Sequence, residues 1–382
     1  MAKKKNIDIL DGNQCAAWGA RLAKVDYIPS YPITPQTEII ETIAKWKADG
    51  DFKGIFQQVD SEHSVMSAAL GSAATGARTF TASSSQGLLL MHEVLVNVSG
   101  TRLPMVFVNV SRALSAPISL WCDLNDMFAM RDAGWIMIIC ETNQEVLDSV
   151  IMGYKISENN KVLLPVFVNM DGFIHSFTRE EVAIPNQKIV DKFIPKQELE
   201  VKLDINNPKT LAIPSLDGYM GFRAQVHKAM MDSTKYINQT HRQWEKLTGR
   251  KYDFFEDYKL KGAEEVIVML GANTTIAKSA VDNLRKQGRK VGLLRVRVLR
   301  PLNEELLKKM LKNAKHIAVV DQNIAPGLSG ILFPEIKSAI FGLNVKVSNY
   351  IAGLGGKPVQ DKEFIEIFDE LKKGKENRKW LM

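Results

Sequence analysis

Three side chains in the first third of the sequence have the chemical character of a binding or catalytic site. Arg112 follows an apolar run and is followed by Ala, Leu, Ser and Pro, so its guanidinium has few local partners. Such a guanidinium suits bidentate binding of a carboxylate or a phosphate. Glu62 and Thr34 are each expected at the start of a helix, where the helix dipole attracts negative charge and a hydroxyl can cap N–H groups or bind an anion. Together with residues 83–87, they predict an anion-binding cleft.

Each of these side chains also has a purely structural interpretation, which the residues alone leave open. Glu62 could be an ordinary first-turn residue of a packed helix. Thr34 could be the N-cap of a helix whose first residue is Pro35. Arg112 could form a salt bridge with an acidic residue of the loop that follows it. Those acidic residues are Asp123, Asp126 and Asp132.

The pattern around Glu62 predicts the elements that would position these residues. Residues 64–76 are almost all Ser, Ala, Gly or Thr, and a helix of such small side chains lets another backbone or a flat ligand approach closely. A short strand at 78–81, a polar turn at 82–87 and a helix at 88–98 are expected next. Because ligands bind at the carboxyl ends of strands in an open parallel sheet, the turn is predicted to line the site.

Strands and helices alternate along most of the chain, which predicts a doubly wound α/β fold. The alternation fails between about 184 and 216, where charged residues, Pro and Asn dominate, and it restarts at Glu265. Before that restart we expect a helix around 222–231 and then a polar stretch. A chain of 382 residues exceeds the usual size of one core, so we expect two domains, 1–261 and 262–382.

Composition argues against several classes of function. The formal net charge is +7, but the basic residues are scattered and their densest runs lie at the termini, so we expect no nucleic-acid partner. No apolar run is long enough to cross a membrane, and the basic N-terminus has no apolar segment after it, so we expect neither a membrane partner nor export. The cysteines, Cys15, Cys122 and Cys140, are far apart and match no metal spacing, which favours a reducing, cytoplasmic setting.

The chain also lacks the short motifs of several cofactor sites. It contains no phosphate loop, no HExxH zinc motif and no cysteine cluster for an iron–sulfur centre, so we expect no metal site on this chain. The glycines within 353–356 fit no dinucleotide fingerprint. His63 and His92 flank the small-residue stretch and could be ligands or acid–base groups, although packed or solvent-bonded histidines are commoner.

Several motifs at these positions together resemble the alpha subunits of pyruvate:ferredoxin oxidoreductases, or pyruvate synthases, in the 2-oxoacid:ferredoxin oxidoreductase family. They cover nearly the whole chain in one order, which makes the resemblance far more specific than any single motif. In the first domain they are YPITP (31–35), SEHS (61–64), FTASSSQGL (80–88), MHEVL (91–95), SGTRLP (99–104), RALSAP (112–117), RDAGW (131–135) and DGF (171–173). In the second domain they are DQNIAPG (321–327) and IAGLGG (351–356).

The resemblance implies a fold and a reaction. Residues 1–261 would form a doubly wound domain, with a C-terminal extension, that binds the pyrimidine ring of thiamine diphosphate, and residues 262–382 would resemble the transketolase C-terminal domain. The reaction would be coenzyme A-dependent oxidative decarboxylation of pyruvate to acetyl-CoA and carbon dioxide with reduction of ferredoxin or flavodoxin, or the reverse. Branched-chain enzymes acting on 2-oxoisovalerate look similar here and are the alternative.

The resemblance also implies partner subunits. A beta subunit would hold the diphosphate of the cofactor, its Mg²⁺ and a [4Fe-4S] cluster, and gamma and delta subunits would complete the complex. A competing hypothesis is a non-catalytic scaffold that is retained for assembly. The joint presence of Glu62, Thr34 and Arg112 argues against that hypothesis.

Roles for individual residues follow from the same motifs. Glu62 would hydrogen-bond the pyrimidine ring and favour its imino tautomer, Arg112 would pair with the substrate carboxylate, and Thr34 would hydrogen-bond the substrate. These three are the expected catalytic residues, and Tyr31 would line the substrate site. The residues expected to bind the cofactor are Glu62, Tyr31, Pro32, Ser84, Ser85, Gln86 and Gly87. The sequence departs from the family pattern at Cys122 and at 126–131, which could alter the side of the pocket that reads the substrate's carbon chain.

Overall fold

The structure is a computed structural model that describes residues 6–200, 202–208, 210 and 218–382. Its strands, in chain order, are β1 (Asn6–Leu10), β2 (Tyr27–Ser30), β3 (Ile55–Gln58), β4 (Phe80–Ser83), β5 (Val106–Ser111), β6 (Ile136–Ile139), β7 (Val166–Asp171), β8 (Glu180–Ile184), β9 (Phe255–Tyr258), β10 (Glu265–Met269), β11 (Val291–Val296), β12 (Val298–Arg300), β13 (His316–Asp321), β14 (Lys346–Ile351) and β15 (Arg378–Trp380). Its helices are α1 (Gly12–Leu22), α2 (Thr37–Ala48), α3 (Glu62–Ala74), α4 (Ser85–Leu90), α5 (His92–Gly100), α6 (Asn125–Ala129), α7 (Asn143–Ser157), α8 (Ile174–Phe177), α9 (Gln187–Phe193), α10 (Tyr219–Thr248), α11 (Thr274–Lys286), α12 (Glu304–Leu311), α13 (Leu332–Ala339) and α14 (Asp361–Lys372).

The first sheet has the strand order β12-β6-β7-β5-β4. Its strands run parallel except for β12, which pairs antiparallel with β6. The parallel pair β2-β3 continues the sheet beside β4 through a bridge between Tyr27 and Thr79. β5 and β7 are buried along their whole length, as expected for parallel strands that are covered on both faces.

Helices α1 and α7 pack against each other beside this sheet. Asp11 caps α1 by accepting a hydrogen bond from the backbone N–H of Gln14, and Thr142 caps α7 in the same way through the N–H of Glu145. A Cβ on Gly19 would lie 2.7 Å from Cβ of Val150, so a glycine is what allows the two helices to approach this closely.

The second sheet has the strand order β15-β14-β13-β10-β11-β9. Its core strands run parallel, and β9 pairs antiparallel with β11 at one edge. Helices α11 and α14 cover one face with a separate apolar cluster, while the apolar sides of α12 and α13 join the main core. The expected division between residues 261 and 262 stays a prediction, and β9, which ends at Tyr258, already pairs in this sheet.

The two sheets are joined by a strand and by a buried ionic cluster. β12 follows β11 of the second sheet along the chain but pairs with β6 of the first sheet, with Val298 opposite Ile138. Arg295 donates to Glu145 on α7 over 2.9 Å, and the buried Arg297 donates to the same carboxylate. Burial opposes ionisation of Glu145, but the charges of these two arginines lower its pKa to about 2.

The predicted doubly wound α/β fold is confirmed. The sequence patterns at 27–30 and 316–321 predict strands, and the structure has strands β2 and β13 with these bounds. The pattern at 143–157 predicts a helix, which the structure has as α7. These elements carry clear signals: apolar runs of strand length for the first two, and a Thr N-cap followed by helical periodicity for the third.

Other local predictions are wrong. Thr34 and Pro35 do not start a helix, because α2 begins at Thr37 and Gln36 precedes it without a side-chain cap. The side chain of Gln36 instead donates to the carbonyl of Ala82 over 2.9 Å, which ties this turn to β4. The helix expected around 222–231 is the much longer α10, and the expected helix at 88–98 is two helices that meet at Met91. The strand expected at 78–81 lies two residues further on, as β4. The turn expected at 82–87 is shorter than predicted, because Ala82 and Ser83 end β4 and α4 begins at Ser85.

Candidate active site

The candidate residues lie along one edge of the first sheet, where the parallel strands end. Thr34 follows β2, Glu62 follows β3, and Arg112 directly follows β5. Residues 83–87 run from the last residue of β4 into the first turn of α4. Because these strands are neighbours and run in the same direction, their carboxyl ends bring the four segments together. The segment that the sequence predicts to line the site therefore lies where the ends of these strands come together.

Arg112 makes its side-chain hydrogen bonds to neutral oxygen atoms. Its Nη1 donates to the carbonyl of Thr34 over 2.7 Å, and its Nη2 donates to Oε1 of Gln86 over 3.1 Å. Its Nε is buried and, among the residues that the structure describes, has no hydrogen-bond partner. Burial lowers the pKa of this guanidinium, while the charges of Asp126 and Glu62 act in the opposite direction. The group therefore keeps an unused donor and a charge that no bonded carboxylate neutralises.

The salt-bridge interpretation of Arg112 does not hold among the residues that the structure describes. Asp126 accepts a hydrogen bond from the backbone N–H of Arg112 over 3.1 Å and not from its guanidinium. Asp123 accepts from the N–H groups of Asn125 and Gly355, and Asp132 lies 3.6 Å from Nε of Arg131. The guanidinium of Arg112 therefore keeps the neutral oxygens of Thr34 and Gln86 as hydrogen-bond partners.

Glu62 is the first residue of α3 and is 8% exposed. Ser61 caps the helix by accepting from the N–H of Ser64 over 3.2 Å, so Glu62 is not needed as a cap. A Cβ on Gly87 would lie 2.4 Å from Oε1 of Glu62 and 2.7 Å from Oγ of Ser83, which only a glycine avoids. Within the described part of the chain nothing donates a hydrogen bond to the Glu62 carboxylate. The Glu62 oxygens therefore have acceptor capacity that the donor groups of a ligand would use.

The turn at 83–87 carries both engaged and unpartnered polar groups. The hydroxyls of Ser83 and Ser84 are buried, and no residue of the described ranges forms a hydrogen bond with them. Ser85 adopts a left-handed backbone conformation with a φ of 50°, its hydroxyl donates to the carbonyl of Ala113 over 2.8 Å, and the same hydroxyl lies 2.6 Å from Oε1 of Gln86. Of the expected cofactor-binding residues, Ser85 and Gln86 are thus occupied within the protein, whereas Ser84 has a free hydroxyl.

The remaining expected residues lie in the loop after β2. Tyr31 is half-buried and packs against the main core, whereas Pro32 and Thr34 are exposed. The carbonyl of Thr34 is engaged by Arg112. The loop is fixed from below by Asn13, whose side-chain amide donates to the carbonyl of Pro35 over 3.1 Å.

Sequence reasoning missed a buried polar cluster directly beneath Arg112. Nδ2 of Asn109 donates to Oδ1 of Asn169 over 2.8 Å, and the hydroxyl of Ser111 donates to Oδ1 of Asp126 over 3.0 Å. Burial raises the pKa of Asp126 to about 6, although hydrogen bonds from the N–H groups of Arg112 and Ser85 oppose this. A signal was present, because the same tetrapeptide VFVN occurs at 106–109 and at 166–169 and places an amide at the same register of neighbouring strands.

The second sheet reaches this edge through its own strand ends. The N–H of Ile324, after β13, donates to Oδ1 of Asn125 over 2.8 Å, and the N–H of Leu124 donates to the carbonyl of Gln322 over 2.9 Å. The turn after β14 packs on Trp121, because a Cβ on Gly356 would lie 2.2 Å from Cβ of that residue. The loop after Arg112 is therefore held between the two sheets.

Neither a metal-binding cluster nor a membrane-spanning helix is found among the described residues. Their His, Cys, Asp and Glu side chains include no group of three or more arranged to hold a metal ion. Of their helices, none combines the length and the apolar character that a membrane span requires.

Comparison with protein families gives two matches that together cover most of the chain. Residues 18–242 match the family described as pyruvate flavodoxin/ferredoxin oxidoreductase, thiamine diphosphate-binding. Residues 263–364 match the family described as pyruvate:ferredoxin oxidoreductase core domain II.

Curated relatives of this chain are similar over nearly its full length. It is 42% identical over 376 residues to pyruvate synthase subunit PorA of Methanothermobacter thermautotrophicus, covering 98% of both chains. It is 44% identical over 378 residues to the protein of the same name in Methanocaldococcus jannaschii, covering 97% of this chain and 96% of the relative. It is also 40% identical over 376 residues to ketoisovalerate oxidoreductase subunit VorA of Pyrococcus horikoshii, covering 97% of this chain and 95% of the relative.

Solved structures agree with the fold. The 2-oxoglutarate:ferredoxin oxidoreductase of Magnetococcus marinus superposes with a TM-score of 0.75 at 18% identity over 96% of this chain, which spans 65% of the length of that solved chain. A split-gene transketolase superposes with a TM-score of 0.54 at 12% identity, covering 94% of this chain and 97% of the other. The second unit is thus the α/β domain that was expected to resemble the transketolase C-terminal domain. From the family matches and the relatives, this chain belongs to the pyruvate flavodoxin/ferredoxin oxidoreductase family.

Proposed function

We propose that this chain is the alpha subunit of a multi-subunit 2-oxoacid:ferredoxin oxidoreductase that acts on pyruvate. In the oxidative direction the complex would use coenzyme A and yield acetyl-CoA, carbon dioxide and reduced ferredoxin or flavodoxin, and the reverse direction would synthesise pyruvate. The observation that carries the proposal is Arg112, whose buried Nε is unpartnered at the same strand edge as the buried Glu62 carboxylate. The charge of Glu62 acts on Arg112, which supports a single site in which Arg112 would bind an oxoacid and Glu62 would bind a cofactor ring.

The residues at this edge fit the aminopyrimidine ring of thiamine diphosphate. The Glu62 carboxylate lacks a donor, and Gly87 leaves open the space beside its Oε1. The buried hydroxyls of Ser83 and Ser84 add unpartnered polar atoms to the same turn, and Tyr31 and Pro32 would line its other side. When bound, thiamine diphosphate supplies an electron sink for the pair that decarboxylation leaves behind.

Glu62 would hold a proton on a ring nitrogen. A protonated ring nitrogen is the donor that this carboxylate lacks, and the hydrogen bond between them would favour the imino form of the exocyclic amine. The low exposure of Glu62 strengthens this interaction, since little water competes for the carboxylate.

Arg112 would bind the carboxylate of the oxoacid through its free Nε and the edge of its Nη groups. Its present contacts are to neutral oxygens of Thr34 and Gln86, so a carboxylate would supply the negative charge that its buried position lacks. The exposed Thr34 would add a hydroxyl to the substrate, and Tyr31 would close the pocket. Substrate orientation would thus be fixed before carbon dioxide leaves.

Further components would lie on other chains. We infer that a beta subunit holds the diphosphate, Mg²⁺ and a [4Fe-4S] cluster, and that gamma and delta subunits take part in the same complex. The relatives are named as subunits, which supports an assembly of several chains. We infer a cytoplasmic location, with no membrane and no nucleic acid among the partners.

A second candidate substrate is 2-oxoisovalerate. The relative from Pyrococcus horikoshii, named ketoisovalerate oxidoreductase subunit VorA, is nearly as similar to this chain as the pyruvate synthase subunits are. Trp121, in the loop after Arg112, is 51% exposed and would face the carbon chain of the substrate. Cys122 and Asp126, where the sequence departs from the family pattern, are buried behind it and would act on the pocket only through the packing of this loop.

The test is anoxic reduction of a low-potential acceptor by the purified complex with coenzyme A. Pyruvate, 2-oxobutyrate, 2-oxoisovalerate and 2-oxoglutarate are compared by kcat/KM. We expect pyruvate to be preferred. A preference for 2-oxoisovalerate would keep the mechanism and move the assignment to the branched-chain enzymes, and failure of all four in an assembled complex that contains thiamine diphosphate would favour the scaffold hypothesis.

A further inference from the structure

Asp126 is a fully buried carboxylate that has no part in the proposed chemistry. It is the second residue of the short helix α6 and lies below Arg112. Its Oδ2 accepts from the backbone N–H of Arg112 over 3.1 Å and from the backbone N–H of Ser85 over 3.1 Å. One oxygen atom therefore holds both the residue that would bind the substrate and the turn that faces Glu62.

The carboxylate is itself fixed on several sides. Nδ2 of Asn109 donates to Oδ2 over 3.2 Å, the hydroxyl of Ser111 donates to Oδ1 over 3.0 Å, and the N–H of Met127 donates to Oδ1 over 2.6 Å. All of these partners are donors or can act as donors, so an ionised carboxylate, which only accepts, suits the position. An isosteric amide cannot satisfy all of them, since its NH₂ group would face at least one N–H.

Ser85 and Arg112 depend on this acceptor for their backbone conformation. Ser85 has a left-handed φ of 50°, which a residue with a side chain seldom adopts without fixed surroundings. Arg112 lies one residue beyond β5, so its N–H lies outside the β5 ladder. Both N–H groups find their partner in Asp126.

The second sheet fixes Asp126 from the other side. The side chain of Asn125, the preceding residue, accepts from the N–H of Ile324, and the N–H of Leu124 donates to the carbonyl of Gln322. Helix α6 is thus anchored to the end of β13 at one side and to the candidate site at the other.

We propose that Asp126 is a positioning residue that sets the location of the Arg112 guanidinium and of the turn 83–87 relative to Glu62. The inference rests on the proposed function, because its consequence is an effect on oxoacid binding. Asp126 itself touches neither substrate nor cofactor in this account. Its effect on the reaction is transmitted by the two backbone N–H groups.

The test is a double-mutant cycle in the purified complex, with kcat and KM measured separately for pyruvate. We expect Asp126→Asn to raise the KM for pyruvate about tenfold with a smaller loss of kcat, because the guanidinium is displaced but still present. We expect Arg112→Lys alone to raise the KM for pyruvate about tenfold as well. If Asp126 acts through Arg112, the double variant is little worse than Arg112→Lys alone, whereas independent effects would multiply.

Asp321 provides the matched control, because it is also buried and accepts hydrogen bonds from a backbone N–H and from asparagine amides. Asp321→Asn combined with Arg112→Lys should show independent, multiplying effects on KM. Ser111→Ala provides a milder second variant, which removes one donor to Asp126 and keeps the carboxylate. It should raise KM about twofold to threefold and show the same dependence on Arg112.

The outcomes separate the two proposals. If the wild-type complex oxidises none of the oxoacids, the proposed function fails whatever the variants do. If the wild type is active but the effects of Asp126→Asn and Arg112→Lys multiply, the positioning role is wrong. Should Asp126→Asn fail to assemble, Ser111→Ala decides the matter, and an unchanged KM in that variant would overturn the proposal.

Discussion

At the scale of single residues, the partners of Arg112 determine what else it can bind. Its two Nη atoms contact neutral oxygens of Thr34 and Gln86, and its buried Nε contacts none. Hydrogen bonds to a charged group contribute about 1.5–3 kcal/mol, and the bonds of this guanidinium to neutral oxygens already belong to that class. A substrate carboxylate would add the attraction between opposite charges and would accept two parallel N–H bonds.

Replacing Arg112 with lysine should raise the KM for pyruvate about tenfold, with a smaller change in kcat. Lysine keeps the charge but loses the planar fork that matches a carboxylate. Steady-state kinetics of the complex measure this, with Arg289→Lys as control, since Arg289 pairs with Glu265 and Asp369 in the second unit. If the KM for pyruvate is unchanged in Arg112→Lys, the role of Arg112 is purely structural.

At the scale of elements, the site depends on how closely α3 approaches the turn after β4. Glu62 starts α3, and Gly87 lies within the first turn of α4. The small side chains of α3 were expected to permit a close approach, and Gly87 supplies the corresponding small residue on the other element. The site is thus a product of two elements, each of which leaves space.

A methyl group at Gly87 should therefore damage the site. In Gly87→Ala the new Cβ would lie 2.4 Å from Oε1 of Glu62, so we expect this carboxylate to be displaced and the affinity for thiamine diphosphate to fall about tenfold or more. Cofactor titration of activity in the complex measures the change. Gly221→Ala is the control, since nothing lies within 4 Å of a Cβ at that position of α10. Equal cofactor affinity in both variants would contradict the account.

The sequence was sufficient for elements with strong local signals and for the residues that follow strands. Arg112 was identified because its guanidinium follows an apolar run and has small neighbours, and Thr34 and Glu62 were identified because each was expected at the start of a helix. The N-cap prediction for Thr34 failed because the side chain of Gln36 bonds to β4, a contact between residues that are distant in the chain. Asp126 was seen only as a salt-bridge candidate, since nothing local indicates that its partners are backbone N–H groups.

Other elements were missed for different reasons. Helix α14 has Phe364, Ile367, Phe368 and Leu371 on its buried side, a periodicity that could have identified it. Strand β12 is only three residues long and pairs with β6 of the other sheet, so no local pattern indicates its partner. The sequence predicts a polar stretch over most of helix α10, because one side of its 30 residues is largely exposed and carries polar side chains.

At the scale of the whole molecule, buried charges hold the two units together. Arg295 and Arg297 come from the second unit and reach Glu145 on α7, and Arg297 also donates to the hydroxyl of Ser149 over 2.9 Å. Removing one partner of a buried ion pair costs about 3–5 kcal/mol, because the other charge stays buried. The relative position of the two sheets, and with it the anchoring of α6, depends on this cluster.

Arg297→Met should lower the thermal stability at neutral pH and make it depend less on pH in acid. The pKa of Glu145 is lowered to about 2, so its ionisation stabilises the fold above its unfolded-state pKa, and this contribution is lost as the pH falls from there towards 2. Without Arg297 the pKa of Glu145 should rise towards its unfolded value, so the variant should lose less stability on acidification than the wild type does. Melting temperatures measured between pH 7 and pH 3 test this. Lys290→Met, which removes an exposed pair with Glu264, should have little effect, and a variant of Arg297 that melts like the wild type would refute the role of the cluster.

We propose that Glu62 acts on the pyrimidine ring of a cofactor bound at this edge. Turnover of the assembled complex carrying Glu62→Gln tests this role. Glutamine has nearly the same shape but cannot stabilise a proton on the ring, so we expect a loss of about 100-fold or more in kcat. Gel filtration should show unchanged assembly, and Glu93→Gln, whose side chain is 81% exposed on α5, should leave turnover unchanged. Turnover at the wild-type rate in the Glu62→Gln complex would contradict the account.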